Sequence, residues 1–478
     1  MKRREFVEAA VLSALQVYVL GCASKTQSKR LGKSAATNSN QPVAGSTFGP
    51  LIDAKEGLLD LPEGFRYVVV QRAEDVMSDG LPMSYQPDGM ACFTDAQGRY
   101  ILLRNHELGD QGYLDRYQFL PKAGQLKVPK PAYDDLCFGG VTRVVVDPDR
   151  LQSDFQSRSG RVSTAVIDSH WVLSGTHKNC AGGVFDGGWV SCEETDRPGH
   201  GYAFLTRPTD TRLMPPRRLD SWGRFRREAI VYDPQLGLVY MTEDHGQSCL
   251  YRFVPRDREQ PTGPGLVQAL EVIGVPDTSP YDRGAEETKA LPKWPNGTRW
   301  NTRWVTVDDP QAQKQACRDQ ALKRGASRFN RLEGICRSGS SVWFSASLGG
   351  AAFAGQIFEY IPNPKDRDRG ELILRHEVTD RSLVSCPDNL VMTPWNDLLM
   401  AEDNYGLGDG CTHQHLRIMN RGGRIENLAR NRNNFPEKNK AGAEFTGACF
   451  SPDGRVLFVN LQNPEHVTLA ITGPWPKA

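Results

Sequence analysis

Cys180 stands in the run Gly175-Thr176-His177-Lys178-Asn179-Cys180-Ala181-Gly182-Gly183. Small residues there allow the close backbone approach that a metal or anion site requires. A thiolate is a soft ligand that selects a transition metal over calcium; the competing reading is a buried structural cysteine. Three adjacent acidic pairs each follow an apolar run: Glu193-Glu194, Glu243-Asp244 and Glu402-Asp403. Successive strand residues face opposite sides, so one member of each pair can enter a shared space while the other leaves the strand as it bends. One such pair is an ordinary solvated turn. Three in equivalent places gather like charges that raise one another's pKa unless cations neutralise them. Arg331-Leu332-Glu333 puts a guanidinium and a carboxylate on one face of a strand. That pairing suits a two-pronged clamp on phosphate or carboxylate, or else a local ion pair. Glu228, in Arg224-Phe225-Arg226-Arg227-Glu228-Ala229, is a further candidate acid, with a surface salt bridge to its arginines as the alternative. Asn105-His106-Glu107 offers His106 or Glu107 to a metal or forms a plain turn, and His413 and His415 read as a solvent-facing loop rather than a shared metal site.

The elements that must position these residues recur. Six times a turn leads into a short alternating apolar strand that ends on acidic or polar residues. The segments are Gly98-Arg99-Tyr100-Ile101-Leu102-Leu103, Gly188-Trp189-Val190-Ser191-Cys192, Leu236-Gly237-Leu238-Val239-Tyr240, Ser341-Val342-Trp343-Phe344, Asn396-Asp397-Leu398-Leu399-Met400 and Gly454-Arg455-Val456-Leu457-Phe458-Val459. Their ends, near 107, 194, 244, 347, 403 and 460, are unevenly spaced, and the shortest gap fits one four-stranded propeller blade. The expected fold is therefore all-β: a β-propeller of six blades, with five or seven as neighbouring counts and a pair of β-sandwiches as the other architecture. Helical and loop insertions are expected near 107–138, 276–329 and 404–443, the second carrying a helix over 310–324 capped by Asp308 or Asp309. Thr468-Leu469-Ala470-Ile471-Thr472 can close the ring by pairing with Tyr67-Val68-Val69-Val70, which removes exposed edges.

The chain has 478 residues, with 58 basic against 57 acidic side chains and a net charge of +1, which excludes a nucleic-acid surface. Its 46 glycines and 31 prolines accord with many short strands. No internal stretch is long and apolar enough to span a bilayer. Lys2-Arg3-Arg4-Glu5-Phe6 resembles a twin-arginine export signal. An apolar run leads from it to Val19-Leu20-Gly21-Cys22, which looks like a lipobox with Cys22 acylated. Residues 1–22 are thus expected to be a signal, 23–48 a polar tether, and 49–478 a single propeller domain, exported to the periplasm or cell envelope. A nearly neutral surface and a closed ring call for no partner subunit. Of 11 cysteines none forms CxxC or a zinc-type spacing. With Cys22 and Cys180 set aside, nine remain, an odd number that cannot all pair. GxSxG, P-loop, HExxH and dinucleotide fingerprints are absent in any convincing context.

Several segments together resemble the PhoX-type alkaline phosphatases and their wider group of exported bacterial β-propeller proteins. They include Gly139-Gly140-Val141-Thr142-Arg143, Asn179-Cys180-Ala181-Gly182-Gly183, Ser191-Cys192-Glu193-Glu194-Thr195, Thr242-Glu243-Asp244 and Arg331-Leu332-Glu333-Gly334. Pro387-Asp388-Asn389-Leu390, Glu402-Asp403-Asn404 and Glu444-Phe445-Thr446-Gly447-Ala448-Cys449 continue the order. The resemblance implies a channel holding two iron ions and several calcium ions. It implies Cys180 as the thiolate ligand to iron, Glu194, Glu228, Glu333 and Asp403 as carboxylate ligands with Glu243 or Asp244 beside them, and Arg331 as the phosphate clamp. One departure is Arg227, where the family pattern often has a histidine before the acid matched by Glu228. The expected activity is metal-assisted hydrolysis of small-molecule phosphate monoesters, with Arg331 neutralising charge that develops on the phosphoryl oxygens. The alternatives are a non-catalytic calcium-binding surface propeller and a hydrolase of another ester class.

Overall fold

The computed structural model describes residues 47–477, apart from 118, 281–291, 405–412 and 433–443. The expected signal, with Cys22, and all but the end of the tether lie outside the described residues. The last two tether residues belong to the propeller instead: the Thr47 N–H donates to Glu426 Oε2 at 2.7 Å, and Phe48 is buried against Phe65 and Trp395.

The expected all-β propeller is the observed fold. Its strands form antiparallel meanders, each beginning with an inner strand: Pro87–Thr94, Asn179–Phe185, Arg227–Asp233, Leu332–Ser338, Pro387–Met392 and Phe445–Phe450. Each inner strand packs against the next, and the last packs against the first, so the described inner strands make a ring of six. The strands paired to them are Tyr100–His106, Gly188–Glu193, Leu238–Glu243, Ser341–Ala346, Leu398–Glu402 and Leu457–Leu461. These are the six recurring segments of the sequence. The ring closes as expected: Arg66–Arg72 pairs with Val467–Thr472, in the register Val68 with Ala470 and Tyr67 with Ile471.

Alternation buries one residue in two between neighbouring sheets. Val239, Met241, Tyr251 and Phe253 of the third blade pack with Phe185 and Trp222, and Val69, Leu457, Val459 and Leu469 pack with Leu399 and Leu416. Each fully buried side chain of this kind contributes about 1.5–3 kcal/mol.

Two insertions differ from expectation. The stretch 404–443 contains His415–Met419 and Ile425–Asn431, which are outer strands of the fifth blade. Polar residues disguise them, but His415 and Arg417 are buried because both serve Glu402. In 276–329 the helix covers only Cys317–Lys323. Asp309 spends its side chain on the N–H groups of Gln311 (3.2 Å) and Gln313 (2.8 Å), and Ala312 sits at φ 50°, so the chain turns before the helix can begin. The same insertion supplies the strand Arg299–Thr306, which pairs with Gly265–Val272 on one side and Arg369–Glu377 on the other, joining the third blade to the fourth.

Candidate metal centre

All six inner strands carry a β-bulge just inside the axial end, after one paired residue in five blades and after two in the sixth. A bulge leaves residues unpaired and re-aims their side chains. The first residue released in blades one to five is in turn Asp88, Cys180, Glu228, Glu333 and Asp388; in the sixth it is Gly447, because Thr446 still pairs with Asn460. The next is small or compact: Gly89, Ala181, Ala229, Gly334, Asn389 and, in the sixth blade, Ala448 after Gly447. Crowding at the axis demands this. A Cβ on Gly334 would lie 2.4 Å from the Leu390 nitrogen, and one on Gly447, at φ +61°, would lie 2.2 Å from the Asp88 carbonyl.

A second set of side chains comes from the residue that follows each paired strand: Glu107, Glu194, Asp244, Ser347, Asp403 and Gln462. Their equivalence is shown by one repeated hydrogen bond. Each donates its backbone N–H, at 2.8–3.2 Å, to the carbonyl of the residue that enters the inner strand of its own blade: Gln86, Lys178, Arg226, Arg331, Cys386 or Glu444. Four of these entry residues, Gln86, Lys178, Arg331 and Cys386, adopt φ between 44° and 57°. Non-glycine residues held in this left-handed region cost about 1–3 kcal/mol each and cluster at functional sites. Consecutive blades two, three and four thereby place Lys178, Arg226 and Arg331 side by side.

Together these positions enclose an axial cavity of about 260 Å³. Among the described residues, nine carboxyl groups (Asp88, Glu107, Glu194, Glu228, Asp244, Glu333, Asp388, Asp403 and Glu444) line it against three basic groups, beside the Cys180 thiol. Tyr113, Tyr117 and Phe119 of the first insertion form an aromatic wall.

The basic groups hold part of the acidic set. Arg331 forks onto both oxygens of Asp244 at 2.7 and 2.9 Å and reaches Glu333 Oε1 at 2.9 Å. Lys178 and Arg226 both bind Glu194, and Lys178 reaches Glu107 at 3.4 Å. Burial opposes the charge on Asp244, but Arg331 and Arg226 hold its pKa below the ordinary carboxylate value. For five other acids burial and neighbouring carboxylates outweigh what basic groups supply. Burial first, then Glu333 and Asp388, pushes Glu228 well above its usual range, and burial with Asp403 does the same to Asp388 and Glu444. Burial with Glu107 raises Asp88, and burial with Asp244 raises Glu333. The Cys180 thiol donates to Glu228 Oε1 at 3.2 Å, and its own pKa is raised by burial, Asp88 and Glu228. Glu228 Oε2 is buried without a hydrogen-bond partner.

This donor set fits multivalent cations. Asp88–Glu107–Cys180, Cys180–Glu194–Glu228, Glu228–Glu333–Asp388 and Asp388–Asp403–Glu444 each bring three ligand atoms within 4.8 Å of one another. Successive triads share a member, so candidate cation positions run in an unbroken arc. The orphaned Glu228 oxygen lies on that arc.

The sequence-expected residues divide. Cys180, Glu194, Glu228, Asp244, Arg331, Glu333 and Asp403 line the cavity. Glu193, Glu243 and Glu402, the other members of the acidic pairs, lie behind it, because consecutive strand residues face opposite ways. Glu193 accepts from the N–H groups of His177 (2.9 Å) and Gly201 (2.8 Å) and from His200 Nδ1 (2.7 Å). Glu243 binds Arg318 at 2.9 Å and the Tyr251 hydroxyl at 2.8 Å, and Glu402 binds Arg417 at 2.9 Å and the N–H groups of Ser385 and His415 at 2.9 Å. His106 bonds the Tyr85 carbonyl and the Thr142 hydroxyl. Arg227 also turns away: it packs over Phe225 and donates to the carbonyls of Trp222 and Gly223. Asp88, Lys178, Arg226, Asp388 and Glu444 line the cavity but were not singled out from the sequence. The signal for Asp88 and Asp388 is a donor residue followed by a small or compact one, repeated near the start of each blade; Lys178, Arg226 and Glu444 each stand two residues before such a pair.

A ring of blades whose axial ends converge on carboxylates, one thiol and three adjacent basic groups defines a β-propeller hydrolase with a metal-binding channel. The chain belongs to the alkaline phosphatase PhoX family, whose sequence model matches residues 46–465, and it is a phosphatase on that membership. Comparison with curated proteins found no match. Among solved structures, Pseudomonas fluorescens PhoX in complex with vanadate, a transition-state analogue, is 17% identical, with a TM-score of 0.62 over 88% of this chain and 97% of that one. A gluconolactonase from Xanthomonas campestris is 10% identical, with a TM-score of 0.43 over 90% of this chain and 99% of that one.

Proposed function

We propose that this chain is an exported phosphatase that hydrolyses phosphate monoesters in its axial cavity with the help of a mixed iron and calcium cluster. The observation that carries the reading is the meeting of an arc of carboxylate triads with three basic side chains from consecutive blades. Cys180, shared by two triads, supplies the soft donor that favours iron at that end. The all-oxygen triads Glu228–Glu333–Asp388 and Asp388–Asp403–Glu444 suit calcium. Such ions, when bound, supply Lewis acidity toward phosphoryl oxygens.

The chain's own residues do the rest. Arg331 presents a planar fork, now matched to the two oxygens of Asp244, and two phosphoryl oxygens offer the same geometry. Lys178 and Arg226 stand beside it and add charge where the equatorial oxygens become more negative. Glu193, Glu243 and Glu402 fix the ends of the paired strands from behind, so that Glu194, Asp244 and Asp403 keep their aim. Tyr113, Tyr117 and Phe119 receive the leaving group and limit water on that side.

The twin-arginine-like leader and the lipobox at Cys22 support export to the periplasm and retention at the envelope on a lipid anchor, and a nearly neutral chain with a closed ring accords with a monomer. Fractions of the producing cell test the whole reading. Nitrophenyl phosphate hydrolysis should recover with the envelope, disappear on chelation and return with iron and calcium. Activity confined to the cytoplasm contradicts export, and activity that survives chelation contradicts the metal.

A further inference from the structure

We propose that Asp134, Cys137 and His200 form a second metal site, for a single zinc ion, outside the axial cavity. Three donor atoms converge there: Cys137 Sγ lies 3.7 Å from His200 Nε2 and 3.6 Å from Asp134 Oδ2, and His200 Nε2 lies 3.1 Å from Asp134 Oδ2. Bonds of about 2.0 Å to nitrogen and oxygen and 2.3 Å to sulfur, at tetrahedral angles, set donor atoms roughly 3.3–3.6 Å apart. The preformed triangle therefore accepts zinc with shifts of a few tenths of an ångström.

Each donor is already aimed. Asp134 Oδ1 is occupied by the Leu136 N–H at 2.9 Å, which turns Oδ2 inward. The Cys137 N–H closes the same turn on the Asp134 carbonyl at 3.3 Å, so the two ligands stand three positions apart, as the ligand pairs of structural zinc sites do. The other nitrogen of His200, Nδ1, meets Glu193 Oε1 at 2.7 Å. A carboxylate behind a histidine fixes its tautomer and raises its basicity as a ligand. Cys137 is 0% and His200 2% exposed, whereas the Asp134 side chain is 27% exposed and leaves the fourth position open to water. A further nitrogen donor stands alongside: the His177 ring lies 5.6 Å from that of His200, and its buried Nδ1 has no hydrogen-bond partner.

Zinc with one thiolate and one carboxylate is neutral, and Arg197, which pairs with Asp110, lies with its Nη2 3.7 Å from Asp134 Oδ2 at the site's edge. Binding displaces the thiol proton of Cys137 and the proton held between His200 Nε2 and Asp134. The ion would tie the end of the first insertion, which carries Tyr113, Tyr117 and Phe119 into the cavity wall, to the chain just beyond Glu194.

The test compares the whole protein with Cys137→Ser after loading with zinc and desalting. Wild type should retain one zinc per chain more than the variant. Cobalt loading should produce a thiolate-to-cobalt charge-transfer band in Cys180→Ala that vanishes when Cys137→Ser is added to that variant. Equal zinc in the two proteins, or a band indifferent to Cys137, overturns the proposal. Should Cys137→Ser fail to fold, Asp134→Asn preserves side-chain volume at the partly exposed corner. There zinc affinity against a competing chelator should fall at least about tenfold, and an unchanged affinity overturns the site.

Discussion

Replacing Arg331 by alanine removes the fork now set on Asp244 and the contact to Glu333 while leaving the triads in place. A unit charge about 4 Å from another, at an effective dielectric constant near 20, contributes about 4 kcal/mol. Asp244 takes a share of that field, so the net loss to a reacting phosphoryl group should be about 3 kcal/mol, or roughly two orders of magnitude in rate. Single-substrate kinetics on nitrophenyl phosphate, with metal content measured on the same preparation, is the assay. kcat/KM should fall about 10²-fold or more with iron and calcium unchanged. Arg331→Lys should recover only part of it, because an ammonium restores charge but not the two parallel donors. A loss under about fivefold with metals retained would refute the clamp. So would full rescue by lysine, which would reduce the fork to a point charge.

The metal-free protein should lose stability as pH rises. Asp88, Glu228, Glu333, Asp388 and Glu444 have folded-state pKa values raised above their unfolded values. From about pH 4 upward, where unfolded carboxyls ionise, the folded chain therefore holds more protons, and stability declines until those groups titrate. Tm in chelator should fall between about pH 5 and pH 8, and added calcium and iron should reverse the trend; a chelated Tm that climbs with pH would contradict the buried-acid account. Glu402→Ala should destabilise the fold by about 3–5 kcal/mol, since it leaves Arg417 buried without its partner. Urea unfolding checks this, and a loss under about 1 kcal/mol would mean that Glu402 is not the support its contacts describe.

The paired strands were legible because each alternates cleanly and ends on a polar residue, so the acidic pairs that hold Glu194, Asp244 and Asp403 could be found by pattern alone. The inner strands were not, because a bulge breaks alternation where the ligand emerges. Pro87-Asp88-Gly89 reads as a turn, and Glu444 falls where polar sequence resembles an insertion. Both members of each acidic pair appeared equally eligible. Choosing between them needs the partner behind the strand, and Arg318, which claims Glu243, is 75 residues away. Local sequence cannot display such a contact. The closing pair of terminal strands was legible because both read as apolar runs with an edge to lose. The strand Arg299–Thr306, which alternates only weakly and joins two blades, was not.

Elemental analysis of the natively exported protein, beside Cys180→Ala prepared in the same way, tests the central claim most directly. Wild type should carry both iron and calcium in more than one equivalent per chain, and Cys180→Ala should lose iron while its strand content by circular dichroism is unchanged. A wild-type protein free of bound metal, with its nine cavity carboxylates intact, would contradict the account.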